Sequence, residues 1–213
     1  MNSEFVSKVF KWFGLGLLVT FLVAYVVSIN ESMLMFIFIG YTPIIIFILE
    51  IVCAIWLSAR IYKMSTTTAT VLYLGYTGLT GLTFSSIFIA YEMSSIIWVF
   101  LATAIIFGVF AFIGKVTKIN LNNLGIFLLV GLLSIIILEI INIFLMNNTL
   151  DLMLCIISII IFIGYVAYDM QKIKQLAEIY DGDKLAIIGA LELYLDFINI
   201  FLRLLELFGR NRD

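Results

Sequence analysis

The chain has 213 residues, of which 64% are hydrophobic and only 12% charged. A soluble domain is roughly 45–50% apolar and about 25% charged, so no water-facing surface and no soluble catalytic domain fit this composition. A net charge of −2 excludes a basic face for nucleic acid, and the lack of any histidine excludes histidine metal sites, triads and pH sensors.

A spanning helix needs ~20 mostly apolar residues. Seven segments meet that length, at 11–29, 34–58, 69–90, 94–114, 124–146, 151–170 and 185–208. The expected fold is an all-α membrane protein, a single seven-helix transmembrane domain over residues 1–213. The first segment follows Lys8 and Lys11, as a signal peptide would. It runs to Ile29 without a small-x-small cleavage site, so it reads as a span. The second contains Pro43, the only proline, which kinks the helix or marks its start. The third carries Thr77, Gly81 and Ser85 at every fourth position, a stripe of small residues that lets another helix approach closely. Cys53 and Cys155 lie inside apolar runs, without metal-ligand spacing or a disulfide framework, and read as core residues.

The connections fix an orientation. Lys8 and Lys11, Arg60 and Lys63, Lys115 and Lys118, and Lys172, Lys174 and Lys184 all fall on one side. The alternate loops carry Asn30–Glu31, Tyr91–Glu92 and Asn147 to Asp151, with no Lys or Arg. The positive-inside rule puts the basic side, and the N-terminus, in the cytoplasm. Arg210 and Arg212 break the pattern if the seventh segment crosses fully, so that segment either crosses against the rule or dips in and returns. Asn30 and Asn147 each open a glycosylation sequon, but in very short loops.

Ionisable residues at membrane depth are expensive and are functional candidates by default. Five acids qualify: Glu50, Glu139, Asp169, Glu192 and Asp196. In the seventh span Glu192, Asp196, Asn199, Arg203, Glu206 and Arg210 recur at spacings of 4, 3, 4, 3 and 4, a single helical stripe. Such a stripe cannot face lipid and belongs inside the bundle or along a water-filled path. Arg203 can pair with Asn199 and Glu206 on its own helix, whereas Glu192 and Asp196 have no base between them.

Residues 170–180 can continue the sixth span as helix to a turn signalled by Asp181–Gly182–Asp183. Asp169 lies 13 residues before Gly182 and Asp196 lies 14 after it. An antiparallel hairpin therefore brings the two aspartates level. Two close carboxylates in a poorly hydrated site do not both ionise readily, and the pair shares a proton. That proton pins span six to span seven, and its loss leaves two repelling charges, a latch that loosens as pH rises. Arg60, at the end of span two, can rebind an ionised acid or can serve as a plain positive-inside anchor.

Several segments resemble the Bax inhibitor-1, or transmembrane Bax inhibitor motif, family. LYLDFINIFLRLLELFG at 193–209 resembles that family's last-helix signature, and YVAYDMQKI at 165–173 the end of its sixth helix. Asn142–Ile143–Phe144 resembles its fifth-helix motif and TGLTGLTFSS, residues 77–86, its third. The resemblance implies seven helices with the seventh central and wrapped by helices one to six. It implies a pH-sensitive calcium leak, as in bacterial members, with Asp169 and Asp196 as the sensor. Arg60 falls at the family's second-helix arginine and Glu50 at an acidic position of the same helix. Glu192, Glu139 and Arg203 depart from the family pattern.

The leading expectation is a calcium leak channel, not an enzyme, with no cofactor and Ca²⁺ as the transported ion. Oxygen ligands suit Ca²⁺, and a leak needs only weak contacts, at Asp169, Asp196 and Glu192, rather than a tight site. One alternative is a non-transporting regulator that binds other membrane proteins, a protease modulator or an anti-apoptotic factor. A remote one is an intramembrane aspartyl protease, in which two aspartates act as acid and base on a shared water. Tyr168–Asp169 resembles such a protease's first motif. Tyr194–Leu195–Asp196 departs from the Gly-x-Gly-Asp of the second, and the proline-containing motif is missing. The lipid bilayer is the other expected partner. Short tails and an Ile-rich composition fit a bacterial plasma membrane better than an endoplasmic reticulum.

Overall fold

The computed structural model describes residues 3–179 and 182–212. Nine α-helices are found among them: α1 (Ser3–Ser28), α2 (Glu31–Phe38), α3 (Thr42–Arg60), α4 (Thr66–Phe84), α5 (Ile87–Ala90), α6 (Met93–Val116), α7 (Asn122–Leu145), α8 (Asn148–Ile179) and α9 (Asp183–Phe208). Seven segments are long and apolar enough to cross a membrane: α1, α3, α4 with α5, α6, α7, α8 and α9. The apolar side chains they expose, such as Trp98 at 72% and Phe144 at 82%, suit lipid rather than water.

The second predicted span, 34–58, is not one helix. Gly40 adopts a left-handed φ of +59° and separates α2 from α3. Glycine reaches that conformation without steric cost, and the apolar run on either side hides the break in the sequence. Pro43 stands in the first turn of α3, so it marks a helix start and not a kink. The third span is interrupted where the Ser85 and Ser86 hydroxyls donate back to the carbonyls of Leu82 and Thr83, at 2.6 and 2.9 Å. Such local bonds compete with the helical ladder. The two sequon asparagines are helix caps. Asn30 Oδ1 accepts the Met33 N–H at 3.1 Å, and Asn147 Oδ1 accepts those of Thr149 and Leu150 at 3.0 Å. Helix α8 does continue through the polar stretch after Asp169 to Ile179. Asp181, the first residue of the predicted turn, lies outside the described residues.

The chain forms two compact units. The first comprises Met1–Met93, Ala177–Tyr194 and Asn211–Asp213; the second comprises Ser94–Leu176 and Leu195–Arg210. Helix α9 gives its first half to one and its second half to the other. It is also the most buried span, with 72% of its central window buried against 11–39% for the rest.

In the first unit α1 and α3 both pack on α4. The predicted small-residue stripe works there as packing. A Cβ at Gly81 would come within 2.8 Å of the Thr20 carbonyl oxygen, and Thr20 Oγ1 donates to the Thr77 carbonyl at 2.9 Å. At one end of this unit Lys8 pairs with Asp183 at 3.5 Å, and Lys184 Nζ donates to the Met64 carbonyl at 3.0 Å. At the other end the Arg212 N–H donates to the Ala90 carbonyl at 2.9 Å, and Asn211 bridges Tyr91. The chain thus enters α9 at the lysine-rich end and leaves it beside the Tyr91–Glu92 loop. Between those two ends α9 is one unbroken helix, long and apolar enough to cross a membrane, with no re-entrant turn along it.

In the second unit α6 lies so close to α8 that a Cβ at Gly114 would overlap the Ala167 carbonyl. The Gln171 side chain clamps the α6–α7 connection. Its amide N–H donates to the Ile119 carbonyl, and its oxygen accepts the Leu121 N–H, both at 2.8 Å. Phe197 of α9 meets Phe100 and Phe107 of α6 edge-on, with centroids 5.3 and 5.6 Å apart. The Cys155 thiol of α8 donates to the Arg203 carbonyl at 3.3 Å. Cys155 is buried and Cys53 half-buried, both as free thiols.

Candidate functional site

Asp169 and Asp196 are the two acids buried most deeply, at 7% and 4% exposure. Both belong to the second unit. Asp169 rides on α8, where Val166 and Met170 beside it are fully buried core residues. Asp196 opens the second half of α9, between buried Tyr194 and Phe197. Both carboxylates lie within electrostatic reach of the Tyr165 hydroxyl, one turn before Asp169. Burying a carboxylate is costly unless it is compensated. Two buried acids thus share the neighbourhood of one tyrosine hydroxyl in this unit.

Glu50, Glu192 and Arg60 belong to the first unit. Glu50 accepts a hydrogen bond from Thr83 Oγ1 at 2.6 Å, with Tyr76 and Tyr194 within its electrostatic reach. Around it lies a buried hydroxyl cluster that sequence reading missed. The Tyr194 and Thr20 hydroxyls are 2.6 Å apart, the Tyr73 hydroxyl donates to the Trp12 carbonyl at 2.9 Å, and Tyr194 stacks edge-on with Tyr76 at 5.8 Å. Three tyrosines and two threonines in a span composition this apolar were the available signal. Glu192 is half-buried, and Arg60 is the exposed last residue of α3.

The outer part of the α9 stripe resolves into an ion-pair triad. Arg203 donates to Glu206 one turn on, at 3.0 Å, and to Glu139 of α7. Asn199 does not join Arg203. Its amide donates to the Leu195 carbonyl at 2.7 Å. The pairing with Glu139 was readable in principle. Glu139 stands 6 residues before the end of α7 and Arg203 5 before the end of α9, so two opposite charges come to similar depth. Along the stripe, exposure rises from buried Asp196 through half-buried Asn199 and Arg203 to exposed Glu206 and Arg210.

Comparison with known proteins identifies the family. The family described as "Inhibitor of apoptosis-promoting Bax1" matches residues 2–213. The chain is 38% identical over 217 residues to the inner membrane protein YbhL of Escherichia coli K12, covering 99% of this chain and 93% of YbhL. It is 36% identical over 221 residues to an uncharacterised protein of Borreliella burgdorferi, covering 100% and 94% of the two chains. It is 35% identical over 213 residues to one from Deinococcus radiodurans, covering 98% and 91%. A multi-pass helical membrane protein matched from end to end in this way is a member of the Bax inhibitor-1 family.

Proposed function

We propose that this protein is a pH-sensitive calcium leak channel, gated by Asp169 and Asp196, and that it is a conduit rather than an enzyme. The observation that carries the reading is the burial of both aspartates in one compact unit, within reach of one tyrosine hydroxyl. Family membership supports it. At low pH the pair holds a shared proton and ties α8 to α9. As pH rises the proton leaves, two negative charges repel in a medium of low dielectric, and the helices part. Asp169, Asp196 and Glu192 supply weak oxygen contacts to a passing Ca²⁺, and no resident cofactor takes part. The membrane is a bacterial plasma membrane in this reading, with the N-terminus and the lysine-rich ends in the cytoplasm.

Purified protein in liposomes loaded with a calcium-sensitive dye tests the proposal. Calcium entry above that of empty liposomes supports the channel. Cleavage of a membrane-spanning peptide without flux would replace it with the protease, and neither activity would leave the regulator that binds other membrane proteins.

A further inference from the structure

Arg210 has no part in the gate, and it stands just past the end of α9 in the second unit. Its surroundings in the second unit are specific. A groove of about 580 Å³ runs between α6 and the end of α9. Its mouth is polar, formed by Arg210, Ser94 and Ser95, and its walls are apolar, with Trp98, Leu204 and Phe208 prominent. The Arg210 N–H donates to Ser95 Oγ at 3.0 Å, which fixes the tail at the mouth and leaves the serine hydroxyl its own proton to donate. No acid lines the groove among the described residues. Trp98 and Phe208 are 72% and 69% exposed, open to whatever occupies it.

The dimensions point to the occupant. The α6 wall runs from Ser94 to Ile106, 12 residues on. At 1.5 Å per residue that is about 18 Å of helix, close to the ~15 Å depth of one leaflet's hydrocarbon. A polar, cationic mouth above an apolar trough one leaflet deep matches a phospholipid with its phosphate at the arginine and an acyl chain below. A free phosphate would leave the trough without purpose. We infer that this groove binds an anionic phospholipid, with Arg210, Ser94 and Ser95 holding the head group and Trp98 packing on the chain. Basic pockets between spans and interfacial tryptophans serve lipids in this way.

The chain has three tryptophans, so Trp12→Phe with Trp56→Phe leaves Trp98 as the sole fluorophore. In phosphatidylcholine vesicles, a minor fraction of brominated phosphatidylglycerol should quench Trp98 more than the same fraction of brominated phosphatidylcholine. The expected preference is about fivefold in relative affinity, which corresponds to the ~1 kcal/mol one basic residue gives an anionic lipid. Arg210→Gln should equalise the two lipids, and Arg210→Lys should keep part of the difference. Arg212→Gln, on the same tail but lining another groove, should keep all of it. Equal quenching in the unsubstituted background, or a preference that survives Arg210→Gln, would overturn the inference. So would loss of the preference on adding inorganic phosphate, which would assign the site to free phosphate.

Discussion

Arg203 is held between Glu139 and Glu206, and the three side chains are roughly a quarter to two-fifths exposed. An exposed ion pair contributes little, typically under ~1 kcal/mol, because water and salt screen it. At membrane depth, however, removing one partner leaves a charge that must be rehydrated. Arg203→Gln should therefore destabilise the protein by about 1–3 kcal/mol, more than Glu206→Gln, which leaves Arg203 with Glu139. Thermal unfolding in detergent reads the difference. A smaller loss in Arg203→Gln than in Glu206→Gln would contradict the bracing role. Helical periodicity put Arg203 on a polar stripe but named Asn199 and Glu206 as its partners. It fixes the azimuth of residues on one helix and says nothing of which neighbour meets that face, so Glu139 stayed hidden. The burial of Asp169 and Asp196 followed from their depth along two apolar spans, which hydropathy does fix. At the same scale, Glu192→Gln should lower calcium flux by roughly tenfold, the equivalent of ~1.4 kcal/mol of lost attraction for a divalent ion, with the pH dependence kept. Flux equal to wild type would make Glu192 a structural residue.

Helices approach one another closely at several glycines, among them Gly81 and Gly114, as expected where lipid is as apolar as leucine and close approach gains contact. Gly114 shows the demand most sharply, because the backbone of Ala167 occupies the place of its missing side chain. Gly114→Val should force α6 from α8 and cost about 1–3 kcal/mol or more, the range of overpacked cores. Gly108, two turns nearer the start of the same helix, has open space around it, so Gly108→Ala should be neutral or slightly stabilising. Equal melting temperatures for the two variants would refute the close α6–α8 packing. The seven spans were legible from hydropathy alone, since each is about the length a bilayer requires. The break at Ser85–Ser86 was not, because its apolar surroundings continue the hydropathy signal, and of the break at Gly40 only the α3 start at Pro43 was signalled.

For the molecule as a whole, charge asymmetry ordered the loops correctly within each unit: Lys8, Met64 and Lys184 meet at one end of the first, and the 117–121 connection meets Gln171 in the second. The same asymmetry left the fate of α9 open, because Arg210 and Arg212 argue against a crossing that helix length favours. The unbroken α9 and the tail's pairing with Ala90 and Tyr91 support the crossing. A cytoplasm-active reporter should accordingly give signal when fused after Lys118 and none after Asn148 or Arg212. Signal after Arg212 would contradict the full crossing, and reversal at the first two sites would invert the proposed orientation.

The proposed gate belongs to this scale, since it would couple one proton to the parting of two spans. An isolated aspartate, with a pKa near ~3.9, is ionised throughout the range from mildly acidic to mildly alkaline and cannot respond there. The chain has no histidine to respond in its place. A coupled or desolvated carboxylate keeps a proton to lose as pH rises, which in the proposed gate sets the sign: closed when protonated, open when not. The decisive measurement is calcium flux into liposomes across that range for the wild type, Asp169→Asn, Asp196→Asn and the double variant. Flux through the wild type should rise with pH. Each single variant should lose most of that dependence, and the double variant should add little, because the two acids act as one unit. A wild-type pH profile retained in both single variants would contradict the latch.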